Sequence, residues 1–417
     1  MALTLLAGPV AAAPTWSSPT LGFHAFGTLG AVRSDQDDAD VVSNVYMQPN
    51  GAGHTRRWDF GLDSKLGGQV DADFRNGWSA VLQGVTKHRY DNSWTPEIEW
   101  ANVKYQLTPG LSIRGGRTVA PTFMLSDTAN VGYANPWVRG PQEVYGLVPI
   151  THLDGVDLAW NILLGPATNV LQASFGANTF DAVDGLEISG REAWILSNTL
   201  EYSFVTLRVG YLRAALTFES DQLAALTDGL AGLGNGLTMS GFPVAGQRAT
   251  ALARRYDVDD TPIEIFSAGL RLAPGNWLLL SEWARMTNAG LIPQTQAGYV
   301  TGGYRLGRLQ PYVTWATLDS ETHRPSSVPP SGLPAPLAAA VNAANGGLAA
   351  ALWAAAPSQN SIALGLRWDV LDGAAVKVEY QHIDLENGSP GRFGNVQPGF
   401  RPGGNADLFS LSVDFVL

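Results

Sequence analysis

Cysteine is absent from the 417 residues, which excludes disulfide frameworks, thiolate metal sites, CxxC redox pairs and cysteine nucleophiles. Stability must come from packing or from closure of a sheet. Charge is scarce as well: Asp, Glu, Lys and Arg make up 15% of the chain, against about 25% in an ordinary soluble domain. What charge there is leans acidic, with 26 Lys and Arg, 37 Asp and Glu and a formal net charge of -11. The basic footprint of a nucleic-acid partner is therefore missing. No stretch reaches the roughly eighteen uninterrupted apolar residues of a membrane helix. The nearest, residues 337–356, is mostly alanine and is interrupted by Asn342, Asn345, Gly346 and Gly347; it reads as a helix within a loop. Catalytic and metal motifs are lacking too. His24, His54, His88, His152, His323 and His382 are scattered, with no HExxH pair and no GxSxG elbow, so neither an enzyme nor a bound cofactor or metal is expected. A barrel-embedded hydrolase would need a polar Ser–His pair on the apolar parity of adjacent strands, and none is seen.

What the chain does have is 45% apolar residues, 47 Gly, 13 Trp, 12 Tyr and 15 Phe, a mixture incompatible with disorder, which needs low hydrophobicity and high net charge. Residues 1–12 resemble the apolar part and small-residue cleavage site of a secretory signal, leaving 13–417 as one domain. The strongest signal is strict alternation, which puts every second side chain on one side of a strand. Between Asp59 and Phe74 the even positions include Phe60, Leu62, Leu66, Val70 and Ala72, and the odd ones Asp59, Asp63, Lys65, Gln69, Asp71 and Asp73. At the far end Phe409, Leu411, Val413, Phe415 and Leu417 alternate with Ser410, Ser412 and Asp414.

About sixteen such runs are found, most close to the nine to eleven residues with which a tilted strand crosses a bilayer. Their connections fall into two alternating classes. Tight ones, such as Arg75-Asn76-Gly77, Thr108-Pro109-Gly110 and Leu371-Asp372-Gly373, are rich in turn formers. Long ones are expected over about 33–58, 91–99, 118–155, 178–193, 216–262, 287–295, 318–360 and 383–405. Segregation of loop length by end is the pattern of an outer-membrane barrel with short periplasmic turns and long external loops. Phe74, Trp78, Tyr105, Tyr202, Trp277, Tyr304 and Trp368 lie beside the tight turns, where an aromatic girdle meets the headgroups. The fold class expected is therefore all-β, a transmembrane antiparallel barrel of about sixteen strands, with both termini periplasmic.

With these segments in place the chain resembles the Gram-negative outer-membrane porin family. The resemblance rests on the opening strand Gly22-Phe23-His24-Ala25-Phe26-Gly27-Thr28-Leu29-Gly30, on the apolar alternation of the last strand, and on the third long connection. There, Gly116-Arg117-Thr118-Val119-Ala120-Pro121 leads to Ala134-Asn135-Pro136-Trp137-Val138-Arg139-Gly140-Pro141-Gln142-Glu143-Val144-Tyr145. Family members usually end in Phe, whereas this chain ends Phe415-Val416-Leu417. The resemblance implies a third loop (118–155) folded into the barrel, an outer-membrane location among lipid and lipopolysaccharide, passive diffusion of small hydrophilic solutes or ions, and a homotrimer.

If the apolar parity faces lipid, the other parity lists the lumen: Lys65, Lys87, Lys104, Arg114, Arg208, Arg271, Arg367 and Lys377 beside Asp63, Asp71, Asp157, Glu201, Glu282, Glu379 and Asp414. Barrels of sixteen to eighteen strands are wide enough for an aqueous channel. The expected constriction sets Lys65, Lys104, Arg114 and Arg117 on the wall against Asp127, Arg139 and Glu143 on the inserted loop. Two other readings stand beside the porin: a plugged structural or docking barrel without transport, and, for the Pro- and Ala-rich loop 318–360, a partner-binding extension.

Overall fold

The computed structural model describes residues 19–288, 290–321 and 326–417; the expected signal segment 1–12 lies outside them. Sixteen long antiparallel strands form one sheet. They are β1 (Thr20–Ser34), β2 (Lys65–Asp73), β3 (Trp78–Lys87), β4 (Glu97–Gln106), β5 (Leu111–Val119), β6 (His152–Leu164), β7 (Ala167–Asp181), β8 (Glu187–Tyr202), β9 (Val205–Glu219), β10 (Thr261–Leu272), β11 (Trp277–Thr287), β12 (Thr295–Tyr304), β13 (Leu309–Ser320), β14 (Gln359–Leu371), β15 (Ala374–Leu385) and β16 (Asn405–Val416). Each pairs with the next. β1 closes the sheet by pairing with β2 through residues 20–28 and with β16 through residues 26–34. Closure satisfies every strand edge, which a wall facing hydrocarbon requires.

Two expected boundaries move. Alternation across 59–64 does not produce strand, because the Asp59 carboxylate accepts hydrogen bonds from the Gly61 and Leu62 backbone N–H groups at 2.8 and 2.7 Å. That side-chain turn competes with the ladder and sends Leu62 into a buried cluster instead of toward lipid. The fourth long connection, expected over 178–193, shrinks to 182–186. Here β7 and β8 keep pairing through Thr179↔Ser189, Phe180↔Ile188 and Asp181↔Glu187 beyond a bulge at Gly176 and Asn178.

The outer face carries two aromatic levels. Near the tight turns Trp78 packs on Tyr105 and Trp277 on Tyr304, with ring centroids 4.6 and 4.7 Å apart. Nearer the long loops lie the pairs Phe175–Trp194 and Phe266–Trp283. Beyond this second level the polarity of the wall inverts. On β10 the outward Leu270 and Phe266 give way to Glu264, while the inward Arg271 and Ser267 give way to Ile265 and Ile263. β9 does the same, with Arg213 outside and Leu212 inside. The long-loop ends of these strands therefore stand above the apolar band, polar outside and greasy inside.

Four α-helices sit in the long loops among the described residues: α1 (Gln142–Tyr145) is a single turn in the third loop, and the other three are longer. α2 (Asp221–Met239), capped by the Ser220 hydroxyl, and α3 (Pro243–Tyr256) form a hairpin between β9 and β10. α4 (Ala335–Ala354), between β13 and β14, is by length and composition alone apolar enough to cross a membrane. It begins and ends in one loop, however, and packs Val341 and Leu348 against Leu230 and Leu237 of α2. Residues 337–356 thus lie largely on this loop helix.

Candidate functional site

The third long connection, 120–151, runs inside the barrel and is fastened to the wall from β9 round to β2. Arg208 on β9 donates to the Pro121 carbonyl at 2.7 Å, and Ser267 on β10 to that of Thr122 at 2.9 Å. Glu282 on β11 accepts from the Met124 N–H and the Tyr145 hydroxyl at 2.8 and 3.0 Å. Burial, with the Glu282 carboxylate beside it, pushes the Tyr145 hydroxyl well above its ordinary value, so it remains a donor. The Trp137 indole N–H reaches Thr301 and Thr314 on β12 and β13. Arg367 on β14 donates to the Tyr133 and Asn135 carbonyls, and Lys377 on β15 to those of Gly132 and Trp137. At Gly132 a side chain would collide with Asp414 and Thr28; only glycine lets the loop backbone come this close to the wall. Lys65 on β2 donates to the Ala129 carbonyl at 3.2 Å.

This fastening divides the lumen. Above β8–β13 the loop buries Phe123, Trp137, Val144 and Leu147 among inward Ile195, Leu212, Ile265 and Leu280, so that side is a packed core and not an aqueous surface. Open space remains against β2–β6. A cavity of about 230 Å³ is lined by Gln69, Ser79, Trp100, Asn102, Lys104 and Arg114 on the wall and Asp127 on the loop. A second, of about 270 Å³, lies toward the long loops and includes Lys65, Lys87, Glu97, Glu99 and Arg139 in its lining.

The expected constriction residues separate into three groups. Lys104, Arg114 and Asp127 share one cavity. Arg114 is held by Asp157, 2.6 Å away, whereas among the described residues no carboxylate lies within 4.0 Å of Lys104. Lys65 and Arg139 share the other cavity, but Arg139 is locked in a two-pronged pair with Asp63 at 2.8 Å, both side chains buried. Glu143 is 0% exposed, its Oε1 accepting from Gln359 and Ser361 at 2.8 Å each. It anchors the loop and does not face water. Arg117 lies outside the lumen altogether. Its position is three residues beyond the inward Arg114, hence of opposite parity, and it pairs at 2.7 Å with Asp154 on the outer face shared with Ile113 and Val156.

The sequence reading overlooked Trp100 as a lumen residue. Trp100 shares the parity of the inward Asn102 and Lys104, and a register shift opposite Gln83 and Gly84 turns Glu99 inward beside it; a bulge of this kind leaves no mark in simple alternation. Chemically the open region offers mixed charge, amides and a hydroxyl around water, with the basic groups on the wall.

No protein-family model matches the chain, and no curated protein is similar to it in sequence. Solved structures are similar in fold. The outer membrane protein OmpT of Vibrio cholerae, in-vitro folded and in its trimer form, is 12% identical across 96% of this chain and 100% of its own, with a TM-score of 0.52. OprB of Pseudomonas putida is 11% identical across 95% and 94%, with a TM-score of 0.50. At such identity the likeness speaks for the fold. Joined to the apolar outer band and the closed sixteen-strand sheet, it makes this chain a transmembrane β-barrel of the porin-like outer-membrane fold.

Proposed function

We propose that the protein is a non-enzymatic channel through which small hydrophilic solutes or ions diffuse passively, by an eccentric path between β2–β6 and the tip of the third loop. The observation that carries this reading is the polar cavity shared by Lys104, Arg114 and Asp127. A low-dielectric wall focuses the field of charges placed there, so they act on passing ions more strongly than loop charges in bulk water do. The unpaired Lys104 gives the path a preference for anions. Lipid and lipopolysaccharide are the expected surroundings, and a homotrimer the expected assembly, in keeping with the trimer form of the Vibrio OmpT.

A plugged barrel without transport is the second reading, favoured by the many bonds that fix the third loop across the lumen. Planar-bilayer recording separates the two. Stepwise conductance with a reversal potential on the anion side supports the channel, and a silent, correctly folded protein supports the plug. Mass measurement in mild detergent decides the trimer, which a monomer at all concentrations would exclude.

A further inference from the structure

Lys65 on β2 and Lys87 on β3 are direct cross-strand partners, and both line the cavity of about 270 Å³ toward the long loops. Side chains so paired start about 5 Å apart at Cβ, and like charges in that position weaken a ladder. The protein does little to relieve them. Lys65 Nζ donates one proton to the Ala129 carbonyl, in a contact open to solvent. Among the described residues Lys87 Nζ makes no hydrogen bond, and the carboxylate facing it, Glu99, stands 4.0 Å away and is occupied by the Thr151 hydroxyl. The Lys87 side chain is 27% exposed, so both ammonium groups are within reach of water in the cavity.

The other charges of the lining cancel. Arg139 is locked to Asp63, and Glu97 to Arg89 at 2.7 Å. With His88 and His152 neutral, two ammonium groups against the one carboxylate of Glu99 leave a single positive charge. The same cavity carries the half-buried apolar side chains of Leu125, Val148, Ile150 and Phe180. By comparison with a cavity of about 150 Å³ that takes benzene, its volume holds roughly ten non-hydrogen atoms.

We propose that this cavity is a binding site for a small organic monoanion, a carboxylate on an apolar body of one ring or a short branched chain, whose oxygens accept from Lys65 Nζ and Lys87 Nζ together. Such a group replaces the repulsion of the two ammonium groups by two charge-assisted hydrogen bonds. Its single charge matches the excess in the lining, and its apolar body fits the remaining space. Binding requires entry from the long-loop side only, and it stands whether or not the barrel conducts.

Isothermal titration calorimetry on the full chain in a non-ionic detergent tests this, at low salt and near pH 8, where an ordinary imidazole is neutral. Benzoate is expected to bind more tightly than benzamide, its neutral isostere, by a factor of about ten to a hundred, the range of one hydrogen bond to a charged group. Acetate, which lacks the ring, should bind at least about tenfold more weakly than benzoate. Lys65→Gln and Lys87→Gln should each weaken benzoate about tenfold or more and leave benzamide as it was, with the heat-modifiable mobility of the folded barrel retained; either variant suffices if the other does not fold. Arg117→Gln, the same loss of charge on the outer face, should leave benzoate binding unchanged. Parity of benzoate and benzamide in the parent, or equal benzoate binding by the parent and the lysine variants, would refute the site. Equal weakening by Arg117→Gln would refute it as well, since net charge alone would then account for the attraction. Parity of benzoate and acetate would refute the apolar part of the ligand.

Discussion

Lys104 and Arg117 are both basic, three strand positions from one another's cross-strand partners, and they face opposite media. Lys104 looks into the lumen cavity and Arg117 onto the outer face beside Ile113 and Val156. Lys104→Glu should therefore shift the reversal potential toward cations. The permeability ratio should move by about fivefold, taking about 1 kcal/mol for a two-unit charge change acting across roughly 8 Å of water. Arg117→Gln should leave it unchanged. Bilayer recordings of the two variants, side by side, check the assignment. Parity alone distinguishes the two residues in the sequence, since Arg117 falls out of step with Arg114. What parity could not supply is that Arg139 and Glu143 serve as anchors, because that depends on Asp63, Gln359 and Ser361, which are remote in the chain.

At the scale of elements, the third loop is held by charges buried with their partners. Arg139→Met leaves Asp63 buried and unpaired, a loss of about 3–5 kcal/mol. The loop should then detach locally, raising single-channel conductance and current noise; an unaltered trace would count against the loop as the element that narrows the lumen. The helical cluster makes a separate forecast. Asn345 of α4 donates to the Val328 carbonyl at 2.9 Å and accepts from its N–H at 3.1 Å, fastening a fully buried Val328 to the cluster. Asn345→Ala removes both bonds, worth about 1–3 kcal/mol together, and should make the segment from 326 to 334 the first site cut in limited proteolysis, with conductance preserved.

Most of the sixteen strands could be read from alternation because one face of each meets lipid, and a two-residue period with constant polarity survives any register. The reading failed where that premise fails. Above the bilayer the inward Ile263 and Ile265 and the outward Glu264 reverse the code, so the packed half of the lumen could not be foreseen from a list of polar positions. It also failed at Asp59, where a local side-chain turn replaced strand, and at Glu99, where a bulge put it on the same face as its neighbour Trp100.

For the whole molecule, both described chain ends lie at the tight-turn end: Thr20 pairs with Asp73, and Val416 with Phe26. With the long loops external, single cysteines at Asp259 or Ser326 should react with an impermeant thiol reagent on intact cells, and ones at Asn76 or Asp372 should not. Reaction only at the second pair would invert the barrel. The most direct test of the central claim, an aqueous path confined to the β2–β6 side, uses the same absence of native cysteine. Ser79→Cys lines the open cavity, and Ala284→Cys, 0% exposed, lies in the packed half. A bulky thiol reagent applied during single-channel recording should cut the conductance of the Ser79 variant and leave the Ala284 variant untouched. Block at position 284 without block at position 79 would contradict the account.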